Sequence, residues 1–480
     1  MHRVRGSCRT TLIASKLPTL PAVPPSISRQ LFRLAAPLIG LNVLNVLMLA
    51  VDSALCGRLP NSEPVLAALG YAIQVIFLLM VAMLGLLVGT VALVARAYGG
   101  GDTQRLNHLL VQSTMLTAIV GVVVGAIGAV AAEPILRALG ATHAVADLGG
   151  DYLRPLMIGT PFFYLSLLYA GVMRGVGNTR IPFLCALGAN VVNAVLNYGL
   201  ILGNFGLPAM GVTGSAIGTV IAQALMMFSL LTVLRRGTIP NLKLPLRVTK
   251  IDRSLAIELY RIGWPAALDM LVLNAGFLTA LGMLGRIDQV TVAAHGLGLR
   301  VQALAFVPGL GVGQATGAMV GQALGAGNVE RAKEVAKASL VLCALIMTGL
   351  GVIFIIAAHP LARIFDVTPG TPLEVYSVEW MRILGILMLP ASVNIALMGL
   401  LQGSGATKLS LRINIWTTVL VQVPLSYTFG FVFGWGALGV WLGFPVGAVA
   451  KAVFNYAVFK QAKWAVTGVR IMPVHAPAEH

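Results

Sequence analysis

The chain has 480 residues, of which 58% are hydrophobic and 10% charged, with a mean hydropathy of +0.88. A soluble globular protein carries about 25% charge, so this composition excludes that class and points to a membrane protein. The net charge of +17 would suit a nucleic-acid partner, but the basic residues stand between long apolar runs, and no basic cluster alternates with aromatics as single-strand binders require.

Residues 1–30 contain Arg, Ser and Pro but no apolar run of seven, so they predict a cytoplasmic tail and no cleavable signal. Apolar stretches of about 20 residues predict spans. The first, 34–57, carries NVLNVLMLAVDSALCG, in which Asp52 lies toward the far end and Asn45 sits seven residues earlier on nearly the same face, with Met48 between them. An ionisable group in hydrocarbon costs about 2.5–3.5 kcal/mol on insertion scales, so Asp52 needs a reason to be there. After the second span, 68–95, comes the glycine turn VARAYGGGDTQRL, then a third span at 109–132. The fourth, 152–173, holds Phe162, Phe163, Tyr164 and Tyr169, candidates to line an aromatic cavity. The fifth, 181–203, reads NVVNAVLN, placing Asn190, Asn193 and Asn197 on one face, and the sixth, 209–234, adds Thr219. These stripes predict a polar cluster in which Asp52, Asn193, Asn197 and Thr219 meet inside one bundle. The asparagine amides there can hydrogen-bond the carboxyl in either protonation state.

Arg235 to Arg261 is a basic connection, predicted to hold an amphipathic surface helix. The remaining spans are 262–285, 291–320, 336–358, 379–401, 410–433 and 436–460. Asp269 and Asn274 fall in the seventh. Arg300 falls in the eighth, where it would bind an anionic substrate group or pair with Asp269 or another acid. His295 reads as packed near the far end of the same span. VGQALGAGNVERA, at 320–332, has a glycine turn that a phosphate could occupy, but it neither follows a strand nor matches GxxxxGK[ST]. It repeats the grammar of the turn at 94–106. Pro37 matches Pro265, CGRL at 56–59 matches LGRI at 284–287, MRGVGNT at 173–179 matches LQGSGAT at 401–407, and AMGV at 209–212 matches ALGV at 437–440, all near the same offset. A constant shift through six spans indicates duplication. An even number of spans per half gives parallel repeats related by a pseudo-twofold along the membrane normal. At Asp52's repeat position stands Ala280, so packing symmetry does not require the acid.

The expected organisation is an all-α membrane protein of twelve spans in two six-helix lobes around a central cleft. Residues 31–237 form the first lobe, 238–258 a cytoplasmic linker, 259–465 the second lobe, and 466–480 a cytoplasmic tail. With the N-terminus inside, the inner segments hold 26 of the 33 Lys and Arg, which places both termini in the cytoplasm. Cys8, Cys56, Cys185 and Cys343 show no CxxC spacing, so neither a metal site nor a disulfide is expected.

Residues 30–465 resemble the multidrug and toxic compound extrusion family. The resemblance is carried by PLIGLNVLNVLMLAVDSALCGRL, by MRGVGNTRIPFLCALGANVVNAVLNYGLILGNFGLPAMGVTGSAIGT, and by VGQALGAGNVERA and LLQGSGATK. It implies a bacterial cytoplasmic-membrane antiporter and not an enzyme, without a cofactor, exporting amphipathic, often cationic compounds against inward protons or sodium. It also implies a monomer in contact with membrane lipid. The family's acid of the first span falls on Asp52. The motif of the proton-coupled, DNA-damage-inducible branch, Asn, three residues, then Asp, meets Asn193 and then Asn197 in place of the acid. The glutamate of the sodium-linked branch falls on Leu273, beside Asn274, and its acid of the tenth span is absent, with only Asn394 there. The resemblance therefore implies coupling by protons at Asp52, with Asn193, Asn197 and Thr219 around it and Asn45, Met48, Tyr164, Asp269, Asn274 and Arg300 as candidate cleft residues. Sodium coupling and a lipid or lipid-linked sugar flippase are the alternatives. A polytopic enzyme would need a cluster of His, Asp, Ser or Cys at one membrane surface, and none is found.

Overall fold

The computed structural model describes residues 26–59, 62–245, 250–365 and 367–467. The parts of the two expected tails before Ser26 and after Thr467, and Cys8 with them, lie outside the described residues. Inside a bilayer every backbone N–H and C=O must be satisfied within the protein, and a continuous helix does this locally. Among the described residues there are 11 helices long and apolar enough to span, and 12 when one bent pair is taken as a single span.

The first lobe comprises α1 (Ile27–Cys56), α2 (Ser62–Gly99), α3 (Thr103–Ala138), α4 (His143–Ile158), α5 (Thr160–Gly175), α6 (Arg180–Leu202) and α7 (Gly211–Arg236). The second comprises α8 (Arg253–Leu284), α9 (Gln289–Gly325), α10 (Val329–Ile356), the short α11 (Ala358–Ile364), α12 (Pro372–Gly403), α13 (Thr407–Thr417), α14 (Val423–Tyr427) and α15 (Gly436–Lys460), followed by the single turn α16 (Lys463–Thr467).

Three elements depart from the sequence-based expectation. α1 begins at Ile27, where the Ser26 hydroxyl accepts from Arg29 N, because Leu31 and Ala35 are fully buried and extend the helix past its polar start. The fourth span is two helices, α4 and α5, bent by 52° at Gly159, where a side chain would strike Val220 and where Pro161 restarts the next helix. The eleventh span carries π-helical turns at Thr418–Gln422 and Thr428–Val432 on either side of α14, which begins around Pro424.

No separate linker helix forms among the described residues, and from Arg253 on the expected stretch is the start of α8. Pro240 and Pro245 break the stretch, and Ile239 and Leu242 form an isolated bridge while packing into the first-lobe core. Gln112 of α3 pins the linker's end, donating to Lys250 O at 2.8 Å and accepting from Asp252 N at 3.0 Å. Asp252 then caps α8 by accepting from Ser254 N and Leu255 N. The Ser254 hydroxyl and the His108 ring hold its carboxyl at about 2, below the ordinary aspartate value.

The two glycine turns meet at the seam between the lobes. A side chain on Gly99 would overlap the carbonyl of Gln322, and one on Gly325 would overlap the carbonyl of Arg96. Each turn also clamps the opposite lobe. Arg96 donates to Ser404 O at 2.5 Å, beyond the end of α12, and Gln322 donates to Gly175 O at 2.8 Å, at the end of α5. Arg174 reaches Gln314 at 2.9 Å between them. Further along, α2 crosses α8 where a Cβ on Gly263 would lie 2.5 Å from Gly85 O, and α9 crosses α1 where one on Gly311 would lie 2.6 Å from Ile39 Cγ1. The glycines are there because two backbones touch.

Candidate functional site

Each lobe holds an acid in a network of amides and hydroxyls, half-buried in the first lobe and buried in the second. In the first lobe Asp52 on α1 accepts from Asn197 Nδ2 on α6 at 2.5 Å. The same nitrogen reaches Asn193 Oδ1 at 3.3 Å, and Asn193 Nδ2 donates to Thr219 on α7 at 3.3 Å. Asn193 and Asn197 are buried while Asp52 is half-buried. The chain Asp52–Asn197–Asn193–Thr219 therefore joins three helices, as the spacing of the stripes predicts. α7 can come this close because of Gly214 and Gly218. A side chain at Gly214 would lie 2.5 Å from Leu200 O, and one at Gly218 would overlap Asn197 Oδ1. That oxygen is buried without a hydrogen-bond partner among the described residues.

In the second lobe Asp269 on α8 is 3% exposed. One carboxylate oxygen accepts from Ser410 Oγ at 2.8 Å and the other from Asn414 Nδ2, both on α13. Acid and amide are 145 residues apart in each lobe, Asp52 to Asn197 and Asp269 to Asn414. The second constellation does not occupy the duplicated positions, which are Ala280 and Leu425. Both of its members stand close to three helical turns before them. On α8 that shift keeps the acid on the same helix face but moves it about 16 Å along the axis.

Beside Asp269 lies a chamber of about 340 Å³, lined among others by Met270, Asn274, Phe277, Asn414, Lys451 and Asn455, and reached from the first lobe by Phe77. Asn394 donates to Ala448 O at 3.1 Å and accepts from Asn455 at 3.3 Å. Asn274 thus has the lining position the sequence predicts.

Several candidates fall elsewhere. Tyr164 is fully buried and donates to Leu79 O at 2.8 Å. Its ring fills the first-lobe core, so it is a packing residue and not part of a cleft. Arg300 is exposed in a shallow groove with Phe365, Val367 and Leu373, and it pairs with neither Asp269 nor another acid among the described residues. Its helix position turns it outward while Gln302, two residues on, lines the chamber. Asn45 is exposed and Met48 half-buried, and neither joins the Asp52 network. His295 is buried against Trp380 and Phe444.

Sequence reasoning missed Ser410, Asn414 and Lys451. Ser410 and Asn414 repeat the i, i+4 spacing of Asn193 and Asn197, a signal that the repeat offset alone does not reveal. Lys451 reads as an inner-end charge, although it stands nine residues before the end of α15.

A family model described as MatE matches residues 37–199 and 265–428. The chain is 30% identical to a probable multidrug resistance protein NorM of Burkholderia mallei, over 94% of this chain and 96% of that protein. It is 30% identical to another of that description in Agrobacterium fabrum, over 88% and 90%, and 27% identical to one in Thermotoga maritima, over 92% and 94%. A solved outward-facing structure of a multidrug resistance MATE family transporter of the MOP superfamily superposes with a TM-score of 0.85 at 22% identity, covering 92% of this chain and 98% of that one. A MOP superfamily transporter from Pyrococcus furiosus superposes with a TM-score of 0.84, covering 93% and 98%. At this identity the two superpositions speak to the fold.

Proposed function

The chain belongs to the MatE family of multidrug transporters, and on that premise we propose that it is a secondary antiporter which exports amphipathic, often cationic molecules in exchange for inward protons. It is an integral membrane transporter and not an enzyme. The observation that carries the proton reading is the Asp52–Asn197–Asn193–Thr219 chain, since a lone half-buried carboxyl there has amides as its hydrogen-bonding company and no basic residue.

Burial makes the carboxylate charge expensive, so its protonation state follows solvation. When Asp52 is charged, Asn197 Nδ2 donates to it. When it is protonated, the Asn197 amide turns and its unpaired Oδ1 accepts the carboxyl hydrogen. That turn breaks the link to Asn193 and Thr219, so loading a proton changes how α1, α6 and α7 are held together. The lobe then moves between a proton-receiving and a drug-releasing arrangement. The distribution of Lys and Arg supports cytoplasmic termini in the bacterial inner membrane, so the glycine-turn seam closes the inner side. One chain contains both lobes and works as a monomer.

The test is uptake of ethidium by everted vesicles under separate proton and sodium gradients, comparing the wild type with Asp52→Asn. Proton-driven uptake in the wild type and background uptake in the variant are expected. Undiminished uptake in the variant removes Asp52 from the coupling, and uptake driven by sodium alone makes sodium the coupling ion.

A further inference from the structure

The second-lobe chamber contains a cation that the fold does not use. Lys451 projects from α15 nine residues before the helix ends at Lys460, about 13 Å along the axis. It is half-buried and lines the chamber. A lysine this far into a span is costly and has to face protein or a cavity, where it marks a pathway or a partner.

The obvious partner is Asp269, which attracts it electrostatically. The pair is nevertheless open. Asp269 faces α13, where Ser410 and Asn414 occupy its two oxygens, and no nitrogen–oxygen distance between Lys451 and Asp269 falls within 4.0 Å. Of the neighbouring amides, Asn455 donates to Asn394 and Asn394 to Ala448 O, while Gln302 Oε1 and Asn414 Oδ1 are buried without a partner among the described residues. Lys451 hydrogen-bonds to no described residue. Its ammonium therefore keeps three donors for whatever enters the chamber, while Asp269 supports the charge from behind without using those donors.

The other walls define the body of that occupant. Phe77, Phe277, Phe306 and Phe444 contribute aromatic surface, and the volume of about 340 Å³ is within the range of small-molecule sites. Aromatic and aliphatic walls with one half-buried cation among them match a flat apolar molecule carrying one acidic group. Structural use of Lys451 as a closed ion pair would bring its nitrogen onto Asp269, and snorkelling would take it out of the chamber. Neither is the case.

We propose that the second-lobe chamber binds amphipathic aromatic acids, with Lys451 seating the carboxylate or sulfonate and the phenylalanines holding the ring system. This extends the cargo beyond the cationic compounds of the efflux reading. It concerns binding alone, so it stands or falls independently of proton coupling at Asp52.

The experiment uses the full chain in phosphatidylcholine nanodiscs and equilibrium dialysis without any ion gradient. Three probes share one ring system: 2-naphthoate, 2-naphthalenemethanol and 2-naphthylmethylammonium. Protein-free discs correct for partitioning into lipid. Wild type is expected to bind the acid at least about tenfold more tightly than the alcohol, the scale of one charge-assisted hydrogen bond, and the amine most weakly. Lys451→Met removes the preference for the acid, and Lys451→Arg retains it. The proposal is overturned if the wild type binds the alcohol or the amine as tightly as the acid, a result that needs no variant to fold. It is equally overturned if Lys451→Met folds and keeps the preference.

Discussion

Adding one methyl group at Gly218 is expected to disable coupling without touching the acid. The new Cβ would overlap Asn197 Oδ1 and lie 3.2 Å from its Cγ. Because the amide is held between Asp52 and Asn193, it moves only by giving up those partners. The bond to a charged Asp52 is worth about 1.5–3 kcal/mol and the neutral one to Asn193 about 0.5–1.5 kcal/mol. Replacing glycine by alanine inside a helix returns about 1 kcal/mol. The net cost is about 1–3.5 kcal/mol, which lowers the population of the intact network roughly five- to a few hundredfold. Proton-driven ethidium uptake in everted vesicles reads the loss, and thermal unfolding in detergent reads the stability change. Gly188→Ala is the control, since that position on α6 is exposed and has nothing within 4 Å. In an Asn197→Ala background the obstructing amide is gone, so Gly218→Ala adds no further loss. Wild-type uptake by Gly218→Ala, or an equal further loss in the Asn197→Ala background, would refute the reasoning.

The seam and the linker give two more tests. Gly99→Val places a branched side chain on the Gln322 carbonyl and is expected to abolish transport while the protein still folds, because the clash arises only when the lobes close; vesicle uptake alongside size-exclusion behaviour checks this, and normal uptake would contradict it. Asp252→Ala removes the α8 cap and is expected to cost about 1 kcal/mol at neutral pH. The folded carboxyl sits at about 2, below the unfolded value near 3.9, so its contribution is complete above about pH 4 and disappears as pH falls through about 2. Melting curves of the two proteins should converge over that window, and a gap that stays constant down to pH 2 would exclude the carboxylate as its source.

The duplication made the fold legible. A shared offset across six spans predicts two like lobes, and the glycine turns at Gly99 and Gly325 occupy equivalent places on either side of the seam. What escaped was local. Hydropathy averages over about 20 residues and sees one span where Gly159 and Pro161 bend two helices by 52°. Basic charge in the linker suggests a separate surface helix, but Pro240 and Pro245 interrupt its first part, its last part is the opening of α8, and its leucines pack into the first-lobe core. Gly218 carries no pattern of its own that distinguishes it from the chain's many other glycines. Only the position of Asn197 in space gives it a role.

The first-lobe cluster was readable because its members lie on stripes that a single helix repeat reveals. Its second-lobe counterpart was not, and the reason is geometric. At the duplicated position of Asp52 stands Ala280, 3% exposed, and opposite it, where Asn197 would recur, stands Leu425. Conversely, Asp269, Ser410 and Asn414 correspond to Leu41, Pro182 and Ala186, so neither constellation is an inherited copy of the other. Each pairs an acid on the first span of its lobe with an amide on the fifth, because those spans face each other at many levels, and on α8 a shift of about three turns returns to the same face. Duplication conserves which helices face each other but leaves the depth of a polar group free. The depth differs here in relation to the seam. Asp269 is less than two turns from Gly263, where α8 crosses α2, whereas Asp52 is more than three turns beyond Ile39, where α1 crosses α9. The acid beside the seam has both oxygens occupied and leaves a lysine exposed to the chamber, whereas the acid far from it has a single amide donor. The two lobes thus share a scaffold while differing in the polar groups they offer, a carboxyl on a single amide in the first and a lysine lining a chamber in the second.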